Sequence, residues 1–268
     1  MKYCLFQVGG EVSYGLIEPV GGHDHITRKI LGAPESTGDL EDLHTRRTDP
    51  IPFTEATLLA PVRPSKIVCV GRNYREHAAE LGNEVPKEPL LFLKPPSAIN
   101  RPNGTILRPR ASQRTDYEGE LGVVMARRCL KLPDSEDVRP YILGYTAVND
   151  FTARDLQKAD GQWTRAKGFD TFCPVGPMVT NEIDPWAGVA VQTRVNGELK
   201  QDGNTRNLIF TLDAIVRYIS RVMTLEPGDL IATGTPEGVG PVLAGDVVEI
   251  TVEGVGTLRN SVADEGAD

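Results

Sequence analysis

Short runs of β-branched and apolar residues, cut off by glycine, proline and asparagine, recur along most of this chain, and only one stretch carries a sustained helical repeat. The runs are Lys66–Gly71, Leu90–Lys94, Leu121–Ala126, Tyr141–Val148, Val189–Val195, Leu230–Thr233 and Asp246–Val252. Each has the length and composition of a strand, and Asn196-Gly197 closes one of them with a turn signal. The helical stretch sets Leu208, Ile209, Leu212, Ile215, Val216, Ile219, Val222 and Met223 on one face and stops at Pro227-Gly228. Strands and helices do not alternate, so a doubly wound sheet is not the natural reading. The expected fold is mainly β with a few helices (α+β), a mixed β-roll or sandwich.

The first residues form a smaller unit. Lys2–Val8 and Glu11–Glu18 read as strands joined at Gly9-Gly10. Gly21 to Asp49 is polar, and its His23, His25 and His44 read either as a metal clip or, more ordinarily, as solvated loop residues. Pro50, Pro52, Pro61 and Pro64 frame a connector. The expected division is a small N-terminal β-domain over residues 1–60 and a larger unit over 61–268. A chain of 268 residues has room for both.

The net charge of −8 argues against a nucleic-acid partner, and an anionic substrate would need a local cluster of Arg, Lys or metal. Cys4, Cys69, Cys129 and Cys173 are far apart with no Cys-x-x-Cys spacing, which argues against a zinc site. No run approaches membrane-spanning length, and the apolar stretch at the start is too short for a signal peptide. A cytoplasmic protein with reduced thiols is the expectation.

Chemistry concentrates in carboxylates. In Asp116-Tyr117-Glu118-Gly119-Glu120-Leu121, the two glutamates stand two apart and would share a strand face. Such like charges repel unless a cation or proton lies between them. Asp150, ending the run Tyr141–Asp150, could join them. An all-oxygen set without Cys or His favours a hard cation, Mg²⁺ or Mn²⁺. The plainer alternative is a solvated Glu-x-Glu pair on an exposed strand.

Other segments add groups. His77 and Glu80 are three apart on a short helix after Gly71-Arg72-Asn73-Tyr74, the spacing of a general base with its orienting carboxylate or of a surface pair. Arg154 and Gln157 share a helical turn and can both donate to a carboxylate; Arg154 could equally pair with a neighbour such as Asp155. Lys167 beside Gly168 could neutralise an anion. Thr233-Gly234-Thr235-Pro236-Glu237-Gly238-Val239-Gly240 looks like a phosphate loop but lacks the lysine after its last glycine. It would bring backbone N–H groups and the Thr235 hydroxyl close to a ligand, or form a plain turn.

In order along the chain these segments resemble the fumarylacetoacetate hydrolase family. They are Gly71-Arg72-Asn73-Tyr74-x-x-His77-x-x-Glu80, Tyr117-Glu118-Gly119-Glu120-Leu121, Asn149-Asp150-x-x-x-Arg154-Asp155-x-Gln157, Ala166-Lys167-Gly168-Phe169-Asp170 and the Thr233–Gly240 loop. The resemblance spans residues 66–260 and matches the bacterial 2-oxo-acid branch. It implies a mixed β-sandwich roll, a homodimer, and Mg²⁺ or Mn²⁺ on Glu118, Glu120 and Asp150. It further implies a His77–Glu80 acid–base dyad on a lid over about residues 74–88, which includes Gly82 and Asn83. Lys167 would act with that dyad, and Arg72, Tyr74, Arg154, Gln157 and Thr235 would line the substrate site. Some family members carry a fourth metal carboxylate seven residues before the histidine; here that position is Val70. The implied activity is metal-dependent cleavage of a C–C bond in a β-dicarbonyl 2-oxo acid, by hydrolysis of acylpyruvates or decarboxylation of oxaloacetate. The alternative is isomerisation or decarboxylation of unsaturated 2-oxo dicarboxylates in aromatic catabolism. A non-catalytic metal-binding fold is the reading from another class, and the intact His77, Glu80 and Lys167 speak against it.

Overall fold

The computed structural model describes residues 1–34, 39, 44–80 and 85–266. The fold is the mixed β-roll expected. A twelve-stranded sheet runs Thr45–Pro52, His23–Ile30, Glu11–Val20, Lys2–Val8, Cys173–Thr180, Ile142–Asn149, Gly119–Met125, Leu230–Ala232, Ile67–Gly71, Leu90–Lys94, with Thr57–Leu59 and Ile99–Asn100 paired off this path. A five-stranded sheet, Glu198–Asn204, Ala190–Val195, Val247–Val252, Gly256–Asp264, Thr105–Arg108, packs against it. A three-stranded sheet joins Thr152–Ala153, Thr115–Tyr117 and Gly240–Pro241.

The burial follows the sequence pattern. Gly119–Met125, Ile142–Asn149 and Cys173–Thr180 are buried at every position, as continuous apolar runs require when both sheet faces are covered. Ala190–Val195 and Val247–Val252 alternate buried and half-buried residues, the mark of a strand with one face toward water. Gly119 lies where the two large sheets meet. A Cβ there would fall 2.2 Å from Thr193 Oγ1 and 2.9 Å from Ile250 Cδ1, so only glycine lets the sheets close between the two glutamates.

Among the described residues four α-helices decorate the sheets: α1 (Arg75–Glu80), α2 (Arg154–Asp160), α3 (Thr164–Lys167) and α4 (Leu212–Val222). The helical repeat begins later than its apolar spacing predicts. Thr211 caps α4, its hydroxyl accepting from Ala214 N at 3.4 Å, and Leu208 and Ile209 lie before the helix. Their backbone is held instead by Asn73 and Tyr74: Ile209 N donates to Asn73 O at 2.8 Å, and Tyr74 bridges Leu208.

Two further differences have physical causes. The polar stretch Gly21–Asp49 is not all loop, since His23–Ile30 and Thr45–Pro52 extend the large sheet as its outer strands. Ile26 and Ile30 anchor the first of these by burial, whereas His23 is exposed and belongs to no metal cluster among the described residues. Cys173–Thr180, absent from the strands expected from sequence, is a central strand that contains Pro174, Gly176 and Pro177. A register shift in its pairing with Ile142–Asn149 accommodates them.

Residues 1–60 contribute strands to the same large sheet, joined where Lys2 and Tyr3 pair with Thr180 and Val179. Tyr3, Leu5 and Leu16 share a core cluster with Val124, Leu143 and Val179. All four cysteines are free and buried. No helix among the described residues is long and apolar enough to cross a membrane.

Ile219 is fully buried on α4. Ile219→Ala should cost about 2–5 kcal/mol, read from denaturant midpoints at unchanged m-value. A loss below about 1 kcal/mol would show that this helix face does not carry core packing.

Candidate active site

Four strand ends meet at one place. Gly119–Met125 begins beside Glu118 and Glu120, Ile142–Asn149 ends at Asp150, Leu230–Ala232 leads to Gly234 and Thr235, and Ile67–Gly71 ends at Arg72. Backbone bonds lock the junction: Asp150 N donates to Glu118 O at 2.9 Å, and Glu118 N to Asn149 Oδ1 at 3.0 Å. The strand breaks at Glu118, yet the two glutamates still reach one cavity. Carboxylate oxygens of Glu118, Glu120 and Asp150 lie within 4.8 Å of one another, all three residues buried. Among the described residues they are the one group of carboxylates, imidazoles and thiols close enough to hold a metal ion.

Cations surround this cluster unevenly. Lys167 Nζ donates to Glu118 Oε2 at 2.8 Å and to Asp150 Oδ2 at 2.6 Å. Arg154 donates Nη2 to Glu118 Oε1, Nε to Asp116 Oδ2 at 2.9 Å and Nη1 to Gln157 Oε1 at 2.6 Å. Lys94 Nζ reaches the other Asp150 oxygen at 2.7 Å and Phe151 O at 3.0 Å. Among the described residues Glu120 has no cation bonded to it and accepts only from Gly234 N, at 2.7 Å.

The titration of each group follows. Burial alone would raise Glu118, but the Lys167 and Arg154 charges outweigh it and hold the carboxyl well below its ordinary range. Burial and then the Asp150 charge push Glu120 well above its ordinary value. Burial disfavours the Lys167 ammonium, and the Asp150 and Glu118 charges overcome it and raise its pKa. A buried carboxylate that ionises only at a cost, with an all-oxygen neighbourhood, suits a hard divalent cation. The residues present therefore fit one.

The cavity over the cluster has a volume of about 60 Å³ and is lined by Val70, Gly71, Arg72, His77, Phe92, Glu118, Glu120, Asp150, Arg154, Gln157, Trp163, Lys167 and Thr235. That is room for about four or five waters, or a small organic acid. Val70 lines it at the position seven before His77, so the described residues offer three carboxylates to a cation there. His77 is buried on α1, and its Nδ1 lies 3.5 Å from Glu80 Oε2, too long for a hydrogen bond. Nδ1 is otherwise unpartnered. Burial lowers the His77 pKa, opposed by the charges of Glu118 and Glu80, which favours the neutral ring.

Glu80 is fixed from the far side. Gly238 N donates to both its oxygens, at 3.1 and 3.2 Å, while Tyr117 Oη donates to Gly238 O at 2.8 Å. Gly238 has a φ of 91°, and a Cβ there would fall 2.0 Å from Lys200 O. The Thr233–Gly240 loop is thus a catch for α1. Of the expected lid, Gly82 and Asn83 lie outside the described residues.

Most of the expected site residues converge, with two differences. Tyr74 is buried beside the cavity but does not line it; its backbone bridges Leu208, and its pKa is raised by burial and by Glu120. The Thr235 hydroxyl lines the cavity but is committed elsewhere, donating to Gly119 O at 2.9 Å and accepting from Gln201 Nε2 at 2.8 Å. Likewise Gly234 N serves a carboxylate of the cluster rather than an outside ligand.

Sequence reasoning missed Lys94, Asp116, Asn73 and Gln201. Lys94 ends an apolar strand run before Pro95-Pro96, an unusual place for a lysine and the one signal available. Asn73 bonds Phe210 N, Phe210 O and Thr233 O, tying three segments together. Gln201 accepts from Gly119 N and Thr193 Oγ1 and donates to Thr235 and Pro236 O. Asn73 stands in the Gly71-Arg72-Asn73-Tyr74 motif, which signalled it without giving it a role, and nothing in the local sequence marks Gln201.

A β-roll with a buried acidic cluster able to hold a metal, closed by a His–Glu pair, defines a class of enzyme built around that cluster. The chain belongs to the fumarylacetoacetate hydrolase family: residues 66–263 match the model of the fumarylacetoacetate (FAA) hydrolase C-terminal domain. The 2-hydroxyhepta-2,4-diene-1,7-dioate isomerase of Mycobacterium marinum is similar at 44% identity and TM-score 0.86, with 99% of each chain covered. Oxaloacetate tautomerase YisK of Bacillus subtilis is 42% identical over 225 residues, 78% of this chain and 74% of that one. The fumarylpyruvate hydrolase of Pseudomonas aeruginosa, solved with Mn²⁺ and pyruvate, is 33% identical with TM-score 0.71, over 78% of this chain and 92% of that one.

Glu120→Gln should weaken Mn²⁺ binding by at least roughly 10–100-fold in calorimetry, as it removes a ligand without stranding a bonded cation. Unchanged affinity would place the metal elsewhere.

Proposed function

We propose that this enzyme cleaves a C–C bond of a β-dicarbonyl 2-oxo acid, by hydrolysis of an acylpyruvate or by decarboxylation of oxaloacetate, with Mg²⁺ or Mn²⁺ held by Glu118, Glu120 and Asp150. The observation that carries the reading is the buried carboxylate cluster, with Glu120 left without a bonded cation, facing a cavity of small-acid size. When bound there, the cation would polarise the 2-keto oxygen and stabilise the negative charge that bond cleavage leaves on it.

The chain's own residues supply the rest. Lys167 has three N–H donors and spends two on Glu118 and Asp150, which leaves one for a substrate oxygen. Gln157 takes Arg154 Nη1 on its carbonyl, so its amide NH₂ is free for a substrate carboxylate. Glu80 beside Nδ1 favours a proton on that nitrogen and leaves Nε2 to accept one. For hydrolysis His77 takes that proton from water attacking the distal carbonyl. For decarboxylation no water is needed, and α1 chiefly excludes solvent and orients the leaving carboxylate.

A second reading is proton transfer alone, giving tautomerisation or isomerisation of an unsaturated 2-oxo dicarboxylate. The relatives named isomerase and tautomerase, at 44% and 42% identity, favour it over the hydrolase at 33%. Assaying oxaloacetate decarboxylation, oxaloacetate tautomerisation and acylpyruvate cleavage on one Mn²⁺-loaded preparation separates them. Tautomerisation without C–C cleavage would overturn the first reading in favour of the second.

His77→Ala should reduce acylpyruvate cleavage by roughly 10²–10⁴-fold while leaving measurable metal-dependent CO₂ release from oxaloacetate. Equal proportional losses on both substrates would refute that division of labour.

The pH profile gives another check. A base must be neutral, and burial lowers the His77 pKa. The acid limb of kcat/KM should therefore lie below the ordinary value of 6.5 and be absent in His77→Ala. A limb above that value would assign it to another group.

A further inference from the structure

Asp116 is fully buried two residues before Glu118, yet it neither lines the cavity nor belongs to the acidic cluster. Arg114 covers both its oxygens, Nε donating to Oδ1 at 2.8 Å and Nη2 to Oδ2 at 3.1 Å. Arg154 adds a third bond, from Nε to Oδ2 at 2.9 Å. A carboxylate serving only as a structural counter-ion would be satisfied by the bidentate Arg114. The third bond is the one that reaches the site, because Arg154 lines the cavity and also donates to Glu118.

The backbone builds this contact. Thr115–Tyr117 pairs with Thr152–Ala153, which sets Thr115 opposite Ala153 and Asp116 opposite Thr152. Arg154 is the next residue, and its backbone N donates to Arg114 O at 2.8 Å. Ser112 Oγ and Gln113 N donate to Asp155 at 2.6 and 2.8 Å, which fastens the first turn of α2. The three-stranded sheet is therefore a mount for one guanidinium. That guanidinium has five N–H donors. Nε is spent on Asp116, one Nη1 hydrogen on Gln157 and one Nη2 hydrogen on Glu118. Each terminal nitrogen keeps one hydrogen. With Nε released, the same fork would be free to turn and take both oxygens of Glu118, one of which Lys167 holds.

We propose that Asp116 is a positioning residue that acts through Arg154. By holding the guanidinium at Nε it limits Arg154 to one bond with Glu118. That keeps the Glu118 carboxylate open to a divalent cation and leaves N–H donors of Arg154 for a ligand in the cavity. The inference deepens the metal-dependent 2-oxo acid reading and rests on it. Asp116 itself touches neither metal nor ligand in this scheme.

Calorimetry with Mn²⁺ alone, then with oxalate on the Mn²⁺-loaded protein, tests it in wild type, D116N, R114M, R154M and D116N/R154M. D116N should weaken both ligands by roughly 10-fold or more, the range for losing an outer partner of a metal site. R114M breaks the Arg114–Asp116 pair but leaves Arg154 held, so it should stay within about twofold of wild type. In the R154M background D116N should change either affinity by no more than about twofold. Thermal melts establish that each variant is folded. Should D116N unfold, R114M/D116N, which drops a cation with the anion, is compared with R114M in its place and should show the same loss. Wild-type affinities in D116N, a loss in R114M as large as in D116N, or an undiminished D116N effect beside R154M would overturn the role of Asp116 and leave the metal site standing. Absence of Mn²⁺ or oxalate binding to wild type would overturn the metal-dependent 2-oxo acid reading, and this inference with it.

Discussion

Carboxylates crowded within 4.8 Å in a buried pocket repel one another. Each pair of full charges costs at least about 3 kcal/mol at an effective dielectric near 20. The rest of the site offsets that repulsion. Asp116, Glu118, Glu120 and Asp150 are the buried acids; Arg114, Arg154, Lys167 and Lys94 are the cations bonded to them. The two sets balance in number but not in place, because Asp116 has two arginines and Glu120 has no bonded cation. The imbalance is local, and it falls where a divalent cation would bind. A chain that paired every carboxylate would be more stable empty and less able to accept a metal.

The scaffold is arranged to keep those charges dry and close. Gly119 allows the two large sheets to meet between Glu118 and Glu120. Gln201 then fastens that point to Thr193, Thr235 and the Pro236 carbonyl. Asn73 ties the strand end carrying Arg72 to Phe210 and Thr233. Among the described residues these amides make no hydrogen bond to the carboxylates of the cluster, yet they fix the loops that carry its partners. Fully satisfied buried amides of this kind specify one arrangement, since each lost bond strands a polar group in an apolar surround.

The His77 helix belongs to the same site. Its carboxylate partner Glu80 docks on the Gly238 amide, so the acid–base pair and the Thr233–Gly240 loop meet across the cavity. In the proposed mechanism, one dyad beside one electron-withdrawing centre would serve hydrolysis, decarboxylation or proton transfer, depending on what lies next to the 2-keto group. This versatility matches a family whose similar members bear the names tautomerase, isomerase and hydrolase.

Sequence alone carried the β-rich fold, the short helix bearing His77 and Glu80, and the carboxylate set, because each is written in local spacing. Two residues apart on a strand means one face, and three apart on a helix means one side. The order of the motifs carried the family. Tertiary structure alone decided what those side chains meet. Lys94 lies 56 positions from Asp150 and reveals itself only when an outer strand crosses the cluster. Tyr74 and Thr235 share motifs with site residues, yet one faces the backbone near α4 and the other is bound by Gln201. The strand Cys173–Thr180 stayed hidden because Pro174, Gly176 and Pro177 obey turn statistics locally. The sheet on both sides outweighs them, since pairing and burial come from residues distant in sequence.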